Sequence, residues 1–127
     1  MDTKNKELLL KDLNARLPYG VKIELTWWDM GEGTYINTTL EPDHIEQLLN
    51  DEDGDTEIKP YLRPMSSMTD EEKEEYCQLQ QRVIYNSKGV INEDVTKYIN
   101  YCYKKHLDIN NLIHMGLAID ATNLNLY

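Results

Sequence analysis

Apolar residues along the chain recur first at helical spacing and then at every second position. Leu9, Leu10, Leu13 and Leu17 fall on one face of a helix that Thr3 caps and that runs to about Arg16. Pro18-Tyr19-Gly20 stops it. From Val21 to Trp28 the chain alternates. Val21, Ile23, Leu25 and Trp27 point one way and Lys22, Glu24 and Thr26 the other, which predicts a half-buried strand. Asp29 to Gly33 supplies a glycine-containing turn. Thr34 to Leu40, rich in Thr, Tyr and Ile, predicts a second, antiparallel strand. Glu41 to Asn50 reads two ways. Pro42 suits a first helical position and Ile45, Leu48 and Leu49 have helical spacing, yet the same residues fit a short edge strand.

Asp51 to Asp55 is a polar turn. Thr56 to Leu62 is predicted extended, because residues before proline avoid the helical region and both Lys59 and Arg63 precede one. Thr69 and Glu72 have capping-box spacing, so a second long helix starts there and runs to about Tyr85. Asn86 to Gly89 reads as a loop, Asn92 as the cap of a helix over Glu93 to His106, and Asp108 as the cap of a short helix ending at Gly116. Leu117-Ala118-Ile119 is an apolar tripeptide, read as a brief strand or a packed arm. The sum is one α+β domain over residues 1–127. It has an N-terminal helix, a small antiparallel sheet of two to four strands, and a helical C-terminal half.

Length and composition add bounds. A chain of 127 residues, 40% hydrophobic, is enough for one domain with a modest core. No run approaches the apolar length of a membrane span, and the N-terminal MDTKNKELLLKDL has no signal-peptide core, so the expected location is the cytoplasm. The two cysteines, Cys77 and Cys102, fall in predicted helices and read as reduced and structural. The net charge of −10 is unevenly spread. Residues 43–75 hold 12 acidic and 3 basic groups, whereas residues 76–127 are close to neutral. This sign disfavours direct contact with nucleic acid or with an anionic membrane, and favours a basic protein surface or a cation.

The chemical motifs are weak. DEDGD, Asp51 to Asp55, resembles a calcium loop only superficially. Starting at Asp51 puts Thr56 at the required glycine and Leu62 at the bidentate glutamate, and aligning on Gly54 puts Leu49 first and Pro60 last. Cys102 and His106 have i,i+4 spacing that suits metal ligation. No CxxC or HxxxH pair accompanies them, and they also lie on an apolar stripe with Val95 and Ile99. There is no GxSxG elbow, phosphate loop or GxGxxG. No catalytic, cofactor or metal site is therefore assigned.

The aromatics and one loop are more informative. Adjacent strand residues Trp27 and Trp28 face opposite ways, so one is in the core and the other is outside it. Tyr101 lies off the apolar face of its helix. In Ile58 to Tyr76 the two prolines stiffen a crossover, and Arg63 is a cation in an acidic neighbourhood that a carboxylate or backbone carbonyl would hold. The same stretch also fits a ligand-contacting loop. Asp51, Asp53, Asp55, Glu57, Arg63, Trp28 and Tyr101 are the expected partner-binding residues.

Three segments carry a resemblance. IKPYLRPMSSMTDEEKEEY resembles the KPYLRPMSSMTEEEK or LRPLSDLT stretch of a family of small proteins from gut Bacteroidales bacteria, their phages and mobile elements. HLDINNLIHMGLAIDATNL is similar to that family's HFDxxxLIxKGLAID ending, and KELLLKDLNARLPYGVKIEL to its usual start. The chain departs from the pattern at Thr34 to Asp55 and at Gln80 to Thr96, and Met115 stands where a basic residue is common. The resemblance implies a bacterial cytoplasm and a phage or mobile-element gene. It carries no activity and no site residue.

The expected function is a non-enzymatic accessory protein of a phage or mobile element that binds a host or phage protein. One form is an anti-defence inhibitor whose acidic surface imitates phosphate charge. The alternatives are a self-assembling homo-oligomer and, less well supported, a metal-dependent enzyme using surface carboxylates.

Overall fold

The structure, a computed structural model, describes residues 2–28, 33–51, 54–85 and 92–127. The turn expected at Asp29 to Gly33, save Gly33 itself, and the loop expected at Asn86 to Gly89 lie outside these residues. The chain is α+β. In order, its elements are α1 (Thr3–Arg16), β1 (Lys22–Trp27), β2 (Gly33–Thr39), α2 (Pro42–Leu49), β3 (Thr56–Leu62), α3 (Asp70–Tyr85), α4 (Asn92–Lys104) and β4 (Ile119–Asp120).

The first helix is capped by Asp2 instead of Thr3: the Asp2 carboxylate accepts the Asn5 N–H at 2.7 Å. Its buried face is turned from the expected one. Leu9 and Leu13 are fully buried, and so are Asp12 and Arg16, whereas Leu10 and Leu17 pack at the margin. The Glu41–Asn50 ambiguity resolves to helix. Pro42 sits in its first turn, the Glu41 N–H donates to His44 Nδ1 at 3.0 Å, and the Glu41 carbonyl accepts the His44 N–H at 3.0 Å.

The sheet has order β2-β1-β3-β4 and is mixed, which corrects the expectation of an antiparallel one. β1 pairs antiparallel with β2 and β3, but β4 runs parallel to β3, matching Tyr61 with Ile119 and Leu62 with Asp120. A parallel partner needs a long crossover, and α3 and α4 provide it. The β1–β2 register shifts by one residue between Ile23 and Leu25, a bulge that places Ile36 and Asn37 opposite Glu24, with Asn37 at φ 57°. Val21, Ile23, Leu25 and Ile58 join Leu9, Leu13, Leu48 and Leu62 in one buried cluster.

α4 ends earlier than expected. His106 adopts a left-handed φ of 60°, the Leu107 N–H bonds back to the Cys102 carbonyl at 2.9 Å, and the His106 N–H bonds to Tyr103 at 3.1 Å. This is a Schellman ending with histidine where glycine is usual. The short helix expected after Asp108 does not form. The Asp108 carboxylate does accept N–H bonds from Leu112 at 2.8 Å and Ile113 at 3.0 Å, but Asn111 turns left-handed at φ 60° and the segment continues as turns. Those turns carry Leu112, Leu117 and Ala118 into the core.

Candidate protein-binding surface

Four of the seven expected binding residues lie together. Trp28 follows β1 and its N–H donates to the Asp55 carbonyl at 2.9 Å. The Asp51 carboxylate closes the turn below it, accepting the N–H groups of Asp55 and Thr56, both at 3.0 Å. Lys6 reaches over from α1 and donates to the Asp51 carbonyl at 3.1 Å. These contacts pin the start of β3 beside the end of β1. A cleft of about 300 Å³ results, lined by Trp28, Asp51, Glu57, Lys6 and Leu48. Trp28 is 45% exposed, so it is the outward member of the tryptophan pair, while Trp27 packs against the core. Glu57 pairs with Lys59 at 3.2 Å, and both side chains are more than a third exposed, so the pair contributes little to stability. Asp53 lies outside the described residues.

Asp51 therefore holds the turn with both of its carboxylate oxygens. Its role is to shape the cleft.

Arg63 and Tyr101 lie elsewhere, and both make contacts within the fold. The Arg63 guanidinium grips Glu72 at 2.6 and 2.9 Å and donates to the carbonyls of Ser67 and Lys105, each at 3.2 Å. The Tyr101 hydroxyl donates to the Glu72 carbonyl at 3.4 Å. The Arg63 bonds hold the Glu72 carboxyl down at about 2 against its burial. Burial, with Glu75 beside it, pushes the Tyr101 hydroxyl up to about 12. The crossover reading of Ile58 to Tyr76 fits these contacts, because its arginine ties β3 to the starts of α3 and of the segment after α4.

Most of the acidic residues described between Glu41 and Glu75 fall in three places. Glu41, Asp43 and Glu46 line a groove of about 830 Å³ between α2 and the β1–β2 pair. Asp51 and Glu57 line the Trp28 cleft. Asp70, Glu71, Glu74 and Glu75 stand exposed on α3. The groove and the cleft adjoin, since Asn50 lines one and Asp51 the other.

Sequence reasoning missed a buried polar network. Arg16 and Asp12, both fully buried, pair at 2.6 Å. Arg16 also donates to the Leu107 carbonyl at 2.8 Å, and Asn110 donates to Asp12 at 2.8 Å. The i,i+4 spacing of Asp12 and Arg16 on the Leu9–Leu13 face was the available signal. Nearby, the imidazole of His106 stacks on Tyr127 at 3.7 Å. Burial, with Arg16 and Arg63 facing it, lowers the His106 imidazole to about 4. Burial pushes the Cys102 thiol up to about 11, so that side chain is a small apolar core group.

Among the described residues no helix is long and apolar enough to cross a membrane. Compared with protein-family models, curated proteins and solved structures, the chain matches none.

Proposed function

We propose that this chain is a non-enzymatic binding protein that engages a basic surface on a partner protein, using the acidic face around α2 and the indole of Trp28. The observation that carries this reading is Trp28 itself. Its large apolar ring stands 45% exposed at a cleft that Asp51 and Glu57 help to line. A partly exposed tryptophan inside a polar rim is the usual form of an interface anchor, and surrounding charge steers the encounter. The phage or mobile-element origin implied by the family resemblance makes the partner a host or phage protein. In the sharper form, the acidic face occupies a nucleic-acid-binding groove of that partner as an anti-defence inhibitor.

The test is capture of a partner from nuclease-treated Bacteroidales lysate, with and without phage infection. The expected result is a stoichiometric protein partner that Trp28→Ala releases and that duplex DNA competes away. Capture insensitive to Trp28→Ala and to neutralising Asp43, Glu46 and Glu57 would overturn the reading. Capture insensitive only to DNA would remove the inhibitor form.

A further inference from the structure

We infer that the groove between α2 and the β1–β2 pair receives an extended, lysine- or arginine-bearing segment of a partner protein. This rests on the protein-binding reading above and adds its site and the partner's chemistry.

Three observations converge. First, the groove exists because α2 packs chiefly on α1 and β3. That leaves a space of about 830 Å³ beside the β1–β2 pair, with the half-buried Thr38 and an edge of the buried Leu25 in its lining. A space of that size holds several extended residues.

Second, the lining is one-signed. It includes the three acidic residues Glu41, Asp43 and Glu46 and no lysine or arginine. Among the described residues, neither Asp43 nor Glu46 forms an ion pair. A net charge of −10 makes a second copy of this chain a poor occupant, since its own acids would meet these.

Third, the groove lies beside an open strand edge. β2 is the outer strand, and among the described residues no strand pairs with its far side. The Leu40 N–H donates to Val21 and Thr38 pairs with Ile23, so Thr39 between them turns its N–H and carbonyl away from β1. An extended chain can pair there while its side chains reach α2. The bulge at Ile36–Asn37 keeps that pairing short. Charge complementarity, more than the ladder, then selects the segment.

The experiment is a titration of the ¹⁵N-labelled full chain with an alternating lysine–threonine peptide of strand length. An alternating glutamate–threonine peptide and spermine are the controls. The expected result is saturable shifts centred on Thr38, Asp43, Glu46 and Asn50 with the basic peptide alone. The double variant Asp43→Asn/Glu46→Gln should weaken binding by about fivefold, from the loss of two solvent-facing ion pairs. Thr39→Pro should weaken it as well. If that variant fails to fold, the carboxylate pair, which makes no ion pair among the described residues, decides the matter.

The inference is overturned by an equal response to spermine, by no response to the basic peptide, or by self-association that protects the groove. It is also overturned by shifts centred on Trp28, Asp51 and Glu57, although that outcome leaves the protein-binding reading standing. A lysate partner that is released by Trp28→Ala but held unchanged by Asp43→Asn/Glu46→Gln separates the two in the same way.

Discussion

Arg63 and Glu72 face each other as a two-pronged ion pair, 2.6 and 2.9 Å apart, joining the end of β3 to the first turn of α3. The same guanidinium holds two carbonyls, and the same carboxylate accepts the Thr69 N–H at 2.9 Å. One pair thus caps a helix and fixes a crossover. Lysine has one point charge and cannot span these positions. Arg63→Lys should therefore destabilise the protein by about 2 kcal/mol in urea unfolding, despite preserving charge.

The same pair makes an acid-dependent contribution. The folded Glu72 carboxyl sits at about 2, below its ordinary 4.5. A lowered acid stabilises fully above the unfolded value and loses that contribution as the pH falls from about 4.5 to about 2. Thermal melts across this range should show Glu72→Gln with a shallower acid slope than the wild type. An unchanged slope would assign the acid dependence to other carboxylates.

His106 should act at a higher pH. Its imidazole is held near 4 against an ordinary 6.5, so the neutral form is the one the fold accepts. The contribution is complete above 6.5 and fades as the pH falls toward 4. Asn tolerates the left-handed backbone at this position and does not titrate. His106→Asn should flatten the melting-temperature profile between these values while losing the Tyr127 stack at every pH.

Breaking the buried Asp12–Arg16 pair from one side leaves a charge in the core. Asp12→Leu should cost roughly 3–5 kcal/mol, whereas combining Asp12→Leu with Arg16→Met should cost less than the sum of the two single changes. Urea denaturation of the four proteins of this cycle measures the coupling. Strict additivity would show that the two side chains act independently.

Gly33 lies against the Trp27 indole so closely that an added methyl group would overlap the ring. Gly33→Ala should displace Trp27, change its fluorescence and destabilise the chain by roughly 1–3 kcal/mol. Native-like emission and stability would show that the ring has room to move.

Most helices and strands were legible because each depends on local spacing. The alternation from Val21 to Trp27 and the Thr69–Glu72 cap are examples. What sequence could not supply was distant pairing. Nothing near Ile119 announces a parallel match to Tyr61, and nothing near Asp12 announces Asn110. Local signals also left the tertiary contacts of single side chains unseen. Arg63 and Tyr101, expected at a partner surface, both converge on Glu72, a contact that their spacing in the chain does not show. The short helix after Asp108 failed because its cap was right but Asn111 turned left-handed. Asp51 and Glu57 flank one turn, where sequence proximity is a fair guide to space, whereas Trp28 reaches them only through the pairing of β1 with β3.

The late arrival of β4 has a consequence for synthesis on the ribosome. The sheet's first three strands and α1 emerge together, but Leu112, Leu117 and Ala118, which complete the same core, follow about fifty residues after β3. Until they clear the exit tunnel, a nascent chain exposes apolar surface on Leu62 and its neighbours. Productive folding is thus tied to the emergence of one late segment, and a pause in translation between α3 and residue 117 would leave a chain that invites chaperones and proteases.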